Sequence, residues 1–347
     1  MKKVFVYDPT VKDKQSKTRG VGRYLSLLKE NLAEQFSFTD KLDNIPVDSV
    51  FINPFYNFLQ PPLITKRIAK KQVAIIYDLI PFKYPGHFPI GIKGKLNVFV
   101  NKLALKNYDL IVTDSEHAKK DIVSILKVNP NRVKIVYPTL SEIFLNSEFK
   151  TLNSQLNSSL LTLNSKFIIY VGDATWNKNL VNLAKAIKLA NVTCIFAGRV
   201  FNLLTRQPVN SSQINTWEIE LNDFKREINN DKRFILLGYV TDKELISLYQ
   251  KAIANILISR DEGFGFSYLE AASQKCPSVL SNTDIFHETA ENTALFANHD
   301  DCNDIANKIL EFYGNDKLRQ DHGNKSYERT KYFSQEKFIT GWQKVIK

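Results

Sequence analysis

The chain has few cysteines and no long apolar run. Its 347 residues include three cysteines, at positions 194, 276 and 302, without metal-ligand spacing. Their odd number excludes a complete disulfide framework and favours a reducing, cytoplasmic compartment. No run of about 18 apolar residues occurs, which excludes a membrane-spanning helix. The early charges Lys2 and Lys3 argue against a signal peptide. We also find no internal repeat and no metal-binding Asp-x-Asp motif.

Acidic residues are scarce in the first part of the chain. Residues 1–140 carry 23 Lys and Arg against 12 Asp and Glu, so the whole net charge of +11 lies there. Nucleic acid, an anionic membrane surface or an acidic substrate would each suit such a region. No nucleic-acid-binding motif occurs. We therefore expect an anionic membrane surface as partner, and no nucleic acid.

Two basic segments contribute to this charge. The cluster Lys66, Arg67, Lys70 and Lys71 is predicted on a helix between two strands. A second, lysine-rich amphipathic helix is predicted over Lys93–Asn107. Such a helix is suited to an anionic membrane, and an ordinary domain helix with a solvated face is an equal alternative.

Short apolar runs alternate with helical patterns along the chain, which is typical of parallel α/β folds. The length corresponds to about two domains. An Asn- and Ser-rich segment, 148–165, predicts the linker between them. We therefore expect domains over 1–150 and 166–331, followed by a final helix over 332–347.

A glycine loop joins a strand to a helix in the second domain. The apolar run Ala252–Ile258 predicts a buried strand, and Ser267–Lys275 predicts a helix. Gly263 and Gly265 between them let the backbone turn sharply and approach a ligand. The amides at the start of a helix bind phosphate. The alternative is a tight connection that binds nothing.

The residues of this loop resemble a known family. Glu262-Gly-Phe-Gly, Leu269-Glu-Ala and Cys276-Pro-Ser-Val-Leu are similar to elements of the family 4 retaining glycosyltransferases, which have the GT-B fold. The resemblance covers nearly the whole chain and is strongest over 166–301. It implies an α/β fold of two Rossmann-like domains, with parallel sheets facing a central cleft and the last helix crossing back to the N-terminal domain.

The resemblance also implies a nucleotide-sugar donor held mainly by the C-terminal domain. Glu270 would hydrogen-bond the ribose, Glu262 would lie near the sugar, and Tyr239 and Val240 would meet the base. Backbone amides and Lys178 would stabilise the departing diphosphate. The donor-binding residues expected in this domain are Gly172, Lys178, Tyr239, Val240, Arg260, Gly263, Phe264, Gly265, Phe266, Ser267 and Glu270.

One position departs from the family's pattern. Asp173 stands where a Val-Gly-Arg element has an Arg that binds the diphosphate together with the lysine matched by Lys178. An aspartate cannot neutralise a diphosphate, so another cation is needed. Arg260, Arg199 and Arg23 are candidates, and our hypothesis is Arg260 because it adjoins the glycine loop.

Two elements of the N-terminal domain match the family as well. Gly20, Gly22 and Arg23 match a Gly-(Ile/Val)-Gly-Arg-Tyr loop that lies near the donor phosphates and the acceptor. Tyr77-Asp78-Leu-Ile-Pro resembles the His-Asp-Leu-Ile-Pro segment of mannosyltransferase-like members, with Tyr77 in place of the His. Asp78 thus joins Glu262 and Lys178 as a catalytic candidate. Both elements favour GDP-mannose over a UDP-hexose.

The resemblance therefore predicts a retaining, metal-independent hexosyltransferase. It would move a hexose, preferably mannose, to a glycan or lipid-linked acceptor in surface polysaccharide synthesis (lipopolysaccharide, capsule or exopolysaccharide). The expected location is the cytoplasm, at the inner face of the membrane. Three alternatives stay open: a GT-B epimerase, a catalytically degenerate nucleotide-sugar-binding subunit, suggested by Asp173 and Tyr77, and a nucleic-acid-binding protein.

Overall fold

The computed structural model describes residues 3–11, 20–146, 166–203 and 219–347. The chain divides into two compact units. The first comprises Met1–Ser141 and Phe333–Lys347, and the second comprises Glu142–Tyr332. Each unit is built around a six-stranded sheet in which all paired strands are parallel. The linker predicted over 148–165 lies outside the described residues.

The first unit alternates strands with helices. Its elements are β1 (Val4–Tyr7), α1 (Gly20–Leu32), β2 (Phe36–Thr39), β3 (Val50–Asn53), β4 (Lys71–Ile75), α2 (Ile80–Lys83), α3 (Ile92–Ala104), β5 (Leu110–Thr113), α4 (Glu116–Leu126) and β6 (Val133–Ile135). The strands lie in the order β2-β1-β3-β4-β5-β6.

The second unit follows the same alternation. Its elements are α5 (Glu142–Leu145), β7 (Phe167–Val171), α6 (Leu180–Ala190), β8 (Thr193–Ala197), α7 (Ile219–Ile228), β9 (Phe234–Gly238), α8 (Asp242–Lys251), β10 (Asn255–Leu257), α9 (Phe266–Ser273), β11 (Ser278–Ser281), α10 (Asp284–Ala290), β12 (Leu295–Ala297), α11 (Cys302–Gly314) and α12 (Asp316–Thr330). The order β12-β11-β10-β7-β8-β9 reverses direction between β7 and β10, as in dinucleotide-binding folds.

Burial explains why the strands read as continuous apolar runs. Helices cover both faces of a parallel sheet, so its strands have no solvent side. All four residues of β3 and of β11 are buried, as are Ile168, Ile169 and Tyr170 in β7. The α/β fold with parallel sheets that the sequence predicts is confirmed.

The last helix, α13 (Gln335–Ile346), belongs to the first unit. Trp342 is fully buried, and its ring lies edge-on to Tyr24 and Phe36, with centroids 6.4 and 6.1 Å away. Phe338 lies 5.6 Å from the ring of Tyr24. The C-terminal helix thus completes the core beside α1 and β2.

Several local predictions were wrong. The segment Lys66–Lys71 is not helical before β4 begins. Instead the amides of Ile68 and Ala69 donate to Gln72 Oε1 at 2.7 and 3.3 Å, and Arg67 forms a two-pronged ion pair with Asp109. These side-chain acceptors replace a helical ladder.

Two elements of the structure have no counterpart among the sequence predictions. These are the short strand β6 (Val133–Ile135) and the helix α10 (Asp284–Ala290). The strand β2 was missed, because Phe36–Thr39 is only half apolar. Within the described ranges, no helix is long and apolar enough to cross a bilayer.

Removal of the Trp342 side chain tests the place of α13 in the first core. Because the ring is fully enclosed, we expect Trp342→Ala to lower the free energy of unfolding by about 3–5 kcal/mol, measured by thermal and urea denaturation. Ile92→Ala, at a site that is 90% exposed, is the control and should cost less than about 0.5 kcal/mol. Equal stabilities for the two variants would contradict this role.

Candidate functional site

The candidate site lies at the reversal point of the second sheet. β7 and β10 are hydrogen-bonded neighbours, with Ile169 opposite Asn255. Ligands of open α/β sheets bind outside the carboxyl ends of the strands at such a point. The loop after β7 carries Gly172 to Lys178, and the loop after β10 carries Arg260 to Gly265. The two loops that the sequence singled out therefore meet at one edge of the sheet.

An ion pair joins the two loops. Lys178 Nζ donates to Glu262 Oε1 at 2.6 Å, and the Ser259 hydroxyl donates to the same oxygen at 2.7 Å. The side chains of Lys178 and Glu262 are 17% and 9% exposed. Desolvation makes such a pair costly, so its presence is weak evidence for a stabilising role. The pair brings the predicted diphosphate-binding lysine against the carboxylate predicted near the donor sugar.

Backbone contacts hold the loops together on both sides of this pair. The Arg260 amide donates to the Asn177 carbonyl at 2.7 Å. The Asn177 side chain is buried and donates to the Asp261 carbonyl at 3.0 Å. A 3₁₀ turn, Trp176–Lys178, then leads into α6 through Asn179 in a left-handed conformation (φ 58°). Asn177 was missed by the sequence analysis, because the burial of its side chain is visible only in the structure.

Arg260 contacts the 3₁₀ turn that contains Lys178. Its guanidinium donates to the Trp176 carbonyl at 2.5 Å and stacks over the Trp176 ring, 4.7 Å from the centroid. Burial lowers the pKa of Arg260, while the carboxylates of Glu220 and Asp300 oppose that shift. An arginine keeps its proton even so. A permanent positive charge therefore stands next to the loop that lacks the family's arginine.

Asp173 itself has a local structural role. Its carboxylate Oδ1 accepts hydrogen bonds from the amide and the hydroxyl of Thr175, at 3.4 and 3.0 Å. Its carbonyl accepts from the Tyr170 hydroxyl at 2.7 Å. The aspartate side chain is exposed and shapes the turn by a bond two residues onward, as short polar side chains do in loops.

The glycine loop ends at a helix N-terminus. Gly265 has a φ of +91° and precedes α9, whose first residues are Phe266 and Ser267. A Cβ at Gly265 would lie 2.9 Å from Phe286 Cε1. Phe264 is buried, and its ring lies 5.5 Å from that of Phe266. The first amides of a helix have no acceptor within the helix, so this loop directs donors and a positive dipole end to the sheet edge.

Glu270 lies one turn inside α9 and is 3% exposed. A carboxylate is rarely buried to this extent without a strong interaction. Glu270 therefore brings a second carboxyl group to this part of the unit. Gly263 lies between the ion pair and the helix start, as the sequence spacing requires.

The ends of β8 and β9 lie on the other side of β7. Gly198 follows β8 and donates its amide to the carbonyl of Gly238 at 2.7 Å, and the Gly172 amide donates to Ala197 at 3.1 Å. A Cβ on Gly198 would come within 1.9 Å of the Gly172 carbonyl oxygen. Tyr239, which follows β9, is about half exposed. The Arg199 guanidinium lies 5.4 Å from the centroid of the Tyr239 ring. Val240 follows before the capping box of α8 at Thr241.

The two N-terminal motifs meet within the first unit. Gly20, Gly22 and Arg23 begin α1, and the next residue, Tyr24, is buried with its ring 5.3 Å from that of Tyr77. The Tyr77 hydroxyl is enclosed, and burial raises the pKa of Tyr77 well above its usual value. Tyr77 therefore offers no titrating group in place of the expected histidine. Asp78 is exposed, and its Oδ1 accepts from the Ile80 amide at 3.1 Å, before α2.

The sequence analysis did not predict a polar cluster of the first unit that consists of Lys83, His117 and Asp121. Lys83 Nζ lies 2.8 Å from Asp121 Oδ2 and 3.4 Å from His117 Nε2. His117 is in the first turn of α4, which follows the carboxyl end of β5. The sequence signal for this cluster was the segment Ser115-Glu-His, which directly follows the strand β5.

Gly265→Ala tests the strained connection. The backbone at this position is left-handed, which strains an alanine, and the new methyl group would meet the Phe286 ring. We therefore expect a loss of about 1–3 kcal/mol in unfolding free energy, measured by thermal denaturation. Gly314→Ala is the matched control, because a Cβ there meets nothing within 4 Å. If both variants were equally stable, the close approach at Gly265 would be wrong.

Sequence comparison identifies relatives with named activities. The O-antigen chain mannosyltransferase RfbU of Salmonella typhimurium is 26% identical over 237 residues, 67% of this chain and 58% of that protein. The O-antigen chain mannosyltransferase B of Escherichia coli is 24% identical over 274 residues, 78% of this chain and 68% of that protein. The match to RfbU thus spans less than two thirds of that relative's length.

Structural comparison shows the fold. Anabaena HepE, solved in complex with UDP-glucose, matches with a TM-score of 0.73 at 14% identity, and the match covers 99% of each chain. With the two parallel sheets, this likeness shows the GT-B fold. The model of the family described as glycosyl transferases group 1 matches residues 153–329, which is about half of the sequence. The chain therefore belongs to the glycosyl transferases group 1 family.

Proposed function

We propose that this protein is a retaining hexosyltransferase that transfers mannose from GDP-mannose to a glycan or lipid-linked acceptor in surface polysaccharide synthesis. The observation that carries the proposal is the Lys178–Glu262 contact of 2.6 Å across the reversal point of the second sheet. The contact supports the proposal because it joins the lysine proposed for the diphosphate to the carboxylate proposed for the sugar, at the point where α/β folds bind nucleotides.

The diphosphate would bind between Lys178 and the start of α9. The amides of Gly265, Phe266 and Ser267 are suited to phosphate oxygens, because helix N-termini favour anions. Lys178 would exchange its bond to Glu262 for a bond to phosphate, which places its charge where negative charge develops as the nucleotide leaves. Preorganised donors of this kind supply much of the stabilisation of a transition state. No metal ion would be needed in this scheme.

Arg260 would supply the second cation. Its guanidinium is oriented by the Trp176 ring and carbonyl, and its planar fork is well matched to phosphate oxygens. The exposed Asp173 takes up the position of the family's arginine but serves the turn through Thr175. Arg260 lies in the adjoining loop, so a short movement of its side chain would compensate for that substitution.

The nucleoside would lie between Glu270 of α9 and the loop that follows β9. Glu270 is suited to the two hydroxyls of a ribose, because a carboxylate accepts two hydrogen bonds at once. Tyr239 and Val240 would meet the base, with Arg199 packed against the tyrosine ring. Gly198 and Gly238 serve close packing within this edge, because a Cβ would lie 1.9 Å from the Gly172 carbonyl oxygen at Gly198 and 1.6 Å from Asn202 Oδ1 at Gly238.

The chemical step would proceed with retention of the anomeric configuration. Glu262 would orient the sugar and ease the positive charge of the oxocarbenium-like centre, once Lys178 has turned to the phosphate. Asp78, Gly20, Gly22 and Arg23 of the first unit are proposed to serve the acceptor and the donor phosphates. Exclusion of water matters, because hydrolysis of the donor competes with transfer.

The preference for mannose comes from the relatives. RfbU and mannosyltransferase B are both described as O-antigen chain mannosyltransferases, whereas HepE was solved with UDP-glucose. The Arg23 and Asp78 motifs favour the mannosyltransferase group. We therefore expect GDP-mannose to be preferred over UDP-hexoses, at the cytoplasmic face of the membrane. The acceptor would be a growing polysaccharide or its lipid-linked precursor.

Nucleotide-dependent thermal stability tests the donor site. A ligand that binds only the native state stabilises it by about 2.7 kcal/mol at 100 times Kd, which corresponds to a rise on the order of 5–10 °C for a unit of this size. We expect such a rise with GDP and GDP-mannose, and a smaller one with UDP. Lys178→Ala and Glu270→Gln should abolish it. Lys185→Ala and Glu311→Gln, at exposed sites of the same unit, should leave it unchanged.

Turnover separates transfer from the alternatives. Incubation with GDP-mannose and an oligosaccharide acceptor should release GDP and form a new α-mannoside, identified by its one-bond C–H coupling in the NMR spectrum. Conversion of the donor without an acceptor would favour an epimerase. A thermal shift without turnover would favour a degenerate binding subunit, and no shift with any nucleotide would overturn the donor site.

Arg260→Ala tests the replacement cation. Loss of a charge-assisted hydrogen bond to phosphate should weaken GDP-mannose binding about 10- to 100-fold, measured by calorimetric titration. Arg260→Lys should recover part of this affinity because it keeps the charge. Arg226→Ala, on the exposed face of α7, is the control. Unchanged affinity in Arg260→Ala would return the question to Arg199 and Arg23.

A further inference from the structure

An apolar stripe of α3 points away from the first unit's core. Ile92, Leu96, Phe99 and Leu103 are 90, 60, 62 and 46% exposed. Their spacing of four, three and four residues places them on one face of the helix. Single exposed apolar side chains are common, but a continuous row of four large ones marks an interaction surface.

Hydrogen bonds fix the helix in this orientation. Asn101 is buried, and its Nδ2 donates to the Gln60 carbonyl at 2.7 Å. Asn97 Nδ2 donates to the Leu59 carbonyl at 2.9 Å, and the Tyr56 hydroxyl donates to the Asn101 carbonyl at 2.6 Å. Asn97 and Asn101 therefore lie on the inner face of α3, together with Val98 and the buried Ala104. A rotation that buried the apolar stripe would break these bonds, and buried amides without partners are costly.

Lysines border the stripe. Lys95, Lys102 and Lys106 lie along one side and Lys93 along the other, and all four are exposed. Lys66 is also exposed and follows Thr65, whose carbonyl accepts from Asn107 Nδ2 at 3.0 Å, just beyond the end of the helix. Over residues 49–108 the sequence has nine Lys and Arg and a single acidic residue, Asp78. The surroundings of the stripe therefore carry positive charge.

We propose that α3 lies flat on an anionic phospholipid membrane, with the Ile92–Leu103 stripe inserted among the acyl chains and the bordering lysines at the headgroups. An apolar face flanked by lysines is the pattern of an interfacial helix. Asn97 and Asn101 act as the fixed attachment of this helix to the protein. The inference deepens the proposed function, on whose lipid-linked acceptor it rests for its biological purpose.

The charges favour a membrane over a second copy of the chain. A symmetric dimer through this face would bring the same lysines of both copies together, and like charges oppose such contacts. An anionic bilayer satisfies the apolar row and the lysines at once.

Vesicle co-sedimentation with the full chain tests the proposal. We expect binding to vesicles of phosphatidylglycerol and phosphatidylcholine, and little binding to pure phosphatidylcholine. Leu96→Ser and Phe99→Ser should each weaken binding about tenfold. Lys95→Gln and Lys102→Gln should each weaken it about fivefold, the ratio that corresponds to about 1 kcal/mol per lysine near the surface, and this effect should fade at high salt.

Matched controls lie in the second unit. Leu310→Ser removes a side chain of similar exposure from α11, and Lys317→Gln with Lys325→Gln removes two exposed charges from α12; both should bind vesicles as the wild type does. All variants should keep their melting temperature, since none of the altered side chains is buried. Equal vesicle binding by wild type and Leu96→Ser/Phe99→Ser would overturn the proposal, as would a dimer in sedimentation equilibrium that these substitutions dissociate. The assay needs no donor, so its result is independent of nucleotide binding and turnover.

Discussion

The pairing of β7 with β10 is the constraint on which the candidate site depends. The Ile169 amide donates to the Ala254 carbonyl at 3.0 Å, and this contact aligns two strands that are far apart in sequence. Because both strands run in the same direction, their following loops leave the sheet at the same edge. Lys178 and Glu262, separated by 84 residues, meet there at 2.6 Å. The same alignment brings the amides at the start of α9 and the guanidinium of Arg260 to this edge.

This edge of the sheet is built from groups that are costly to bury. It holds a nearly enclosed ion pair, a glutamate inside a helix and an arginine whose pKa burial lowers. Hydrophobic residues of similar size would often be as stable in such positions. Their burial is therefore weak evidence for a stabilising role, and the proposed binding of a diphosphate and a sugar would give each of them a task. Proteins commonly accept such local costs at functional sites.

The first unit shows a different departure from ordinary packing. Its core is completed by the C-terminal helix, through the buried Trp342, while α3 attaches by asparagine amides and leaves its apolar row outside. Because aromatic packing is available in this unit, a shortage of apolar contacts does not explain why the apolar row of α3 is exposed. The outward orientation of the apolar row is thus specified by particular hydrogen bonds, and exposed lysines border that row.

The sequence by itself determined the α/β class, because strands buried on both faces must be continuous apolar runs, and it determined the glycine loops, because only glycine adopts the conformation of Gly265 without strain. It also marked α3 as an amphipathic helix. Local patterns failed where distant groups compete: Gln72 and Asp109 prevent a helix over Lys66–Lys71, and burial removes the Tyr77 hydroxyl from solvent. Only the tertiary structure decided that Lys178 faces Glu262 and that α3 turns its apolar side outward. Both depend on contacts between residues remote in sequence, and a helical or strand period specifies a face without specifying what that face meets.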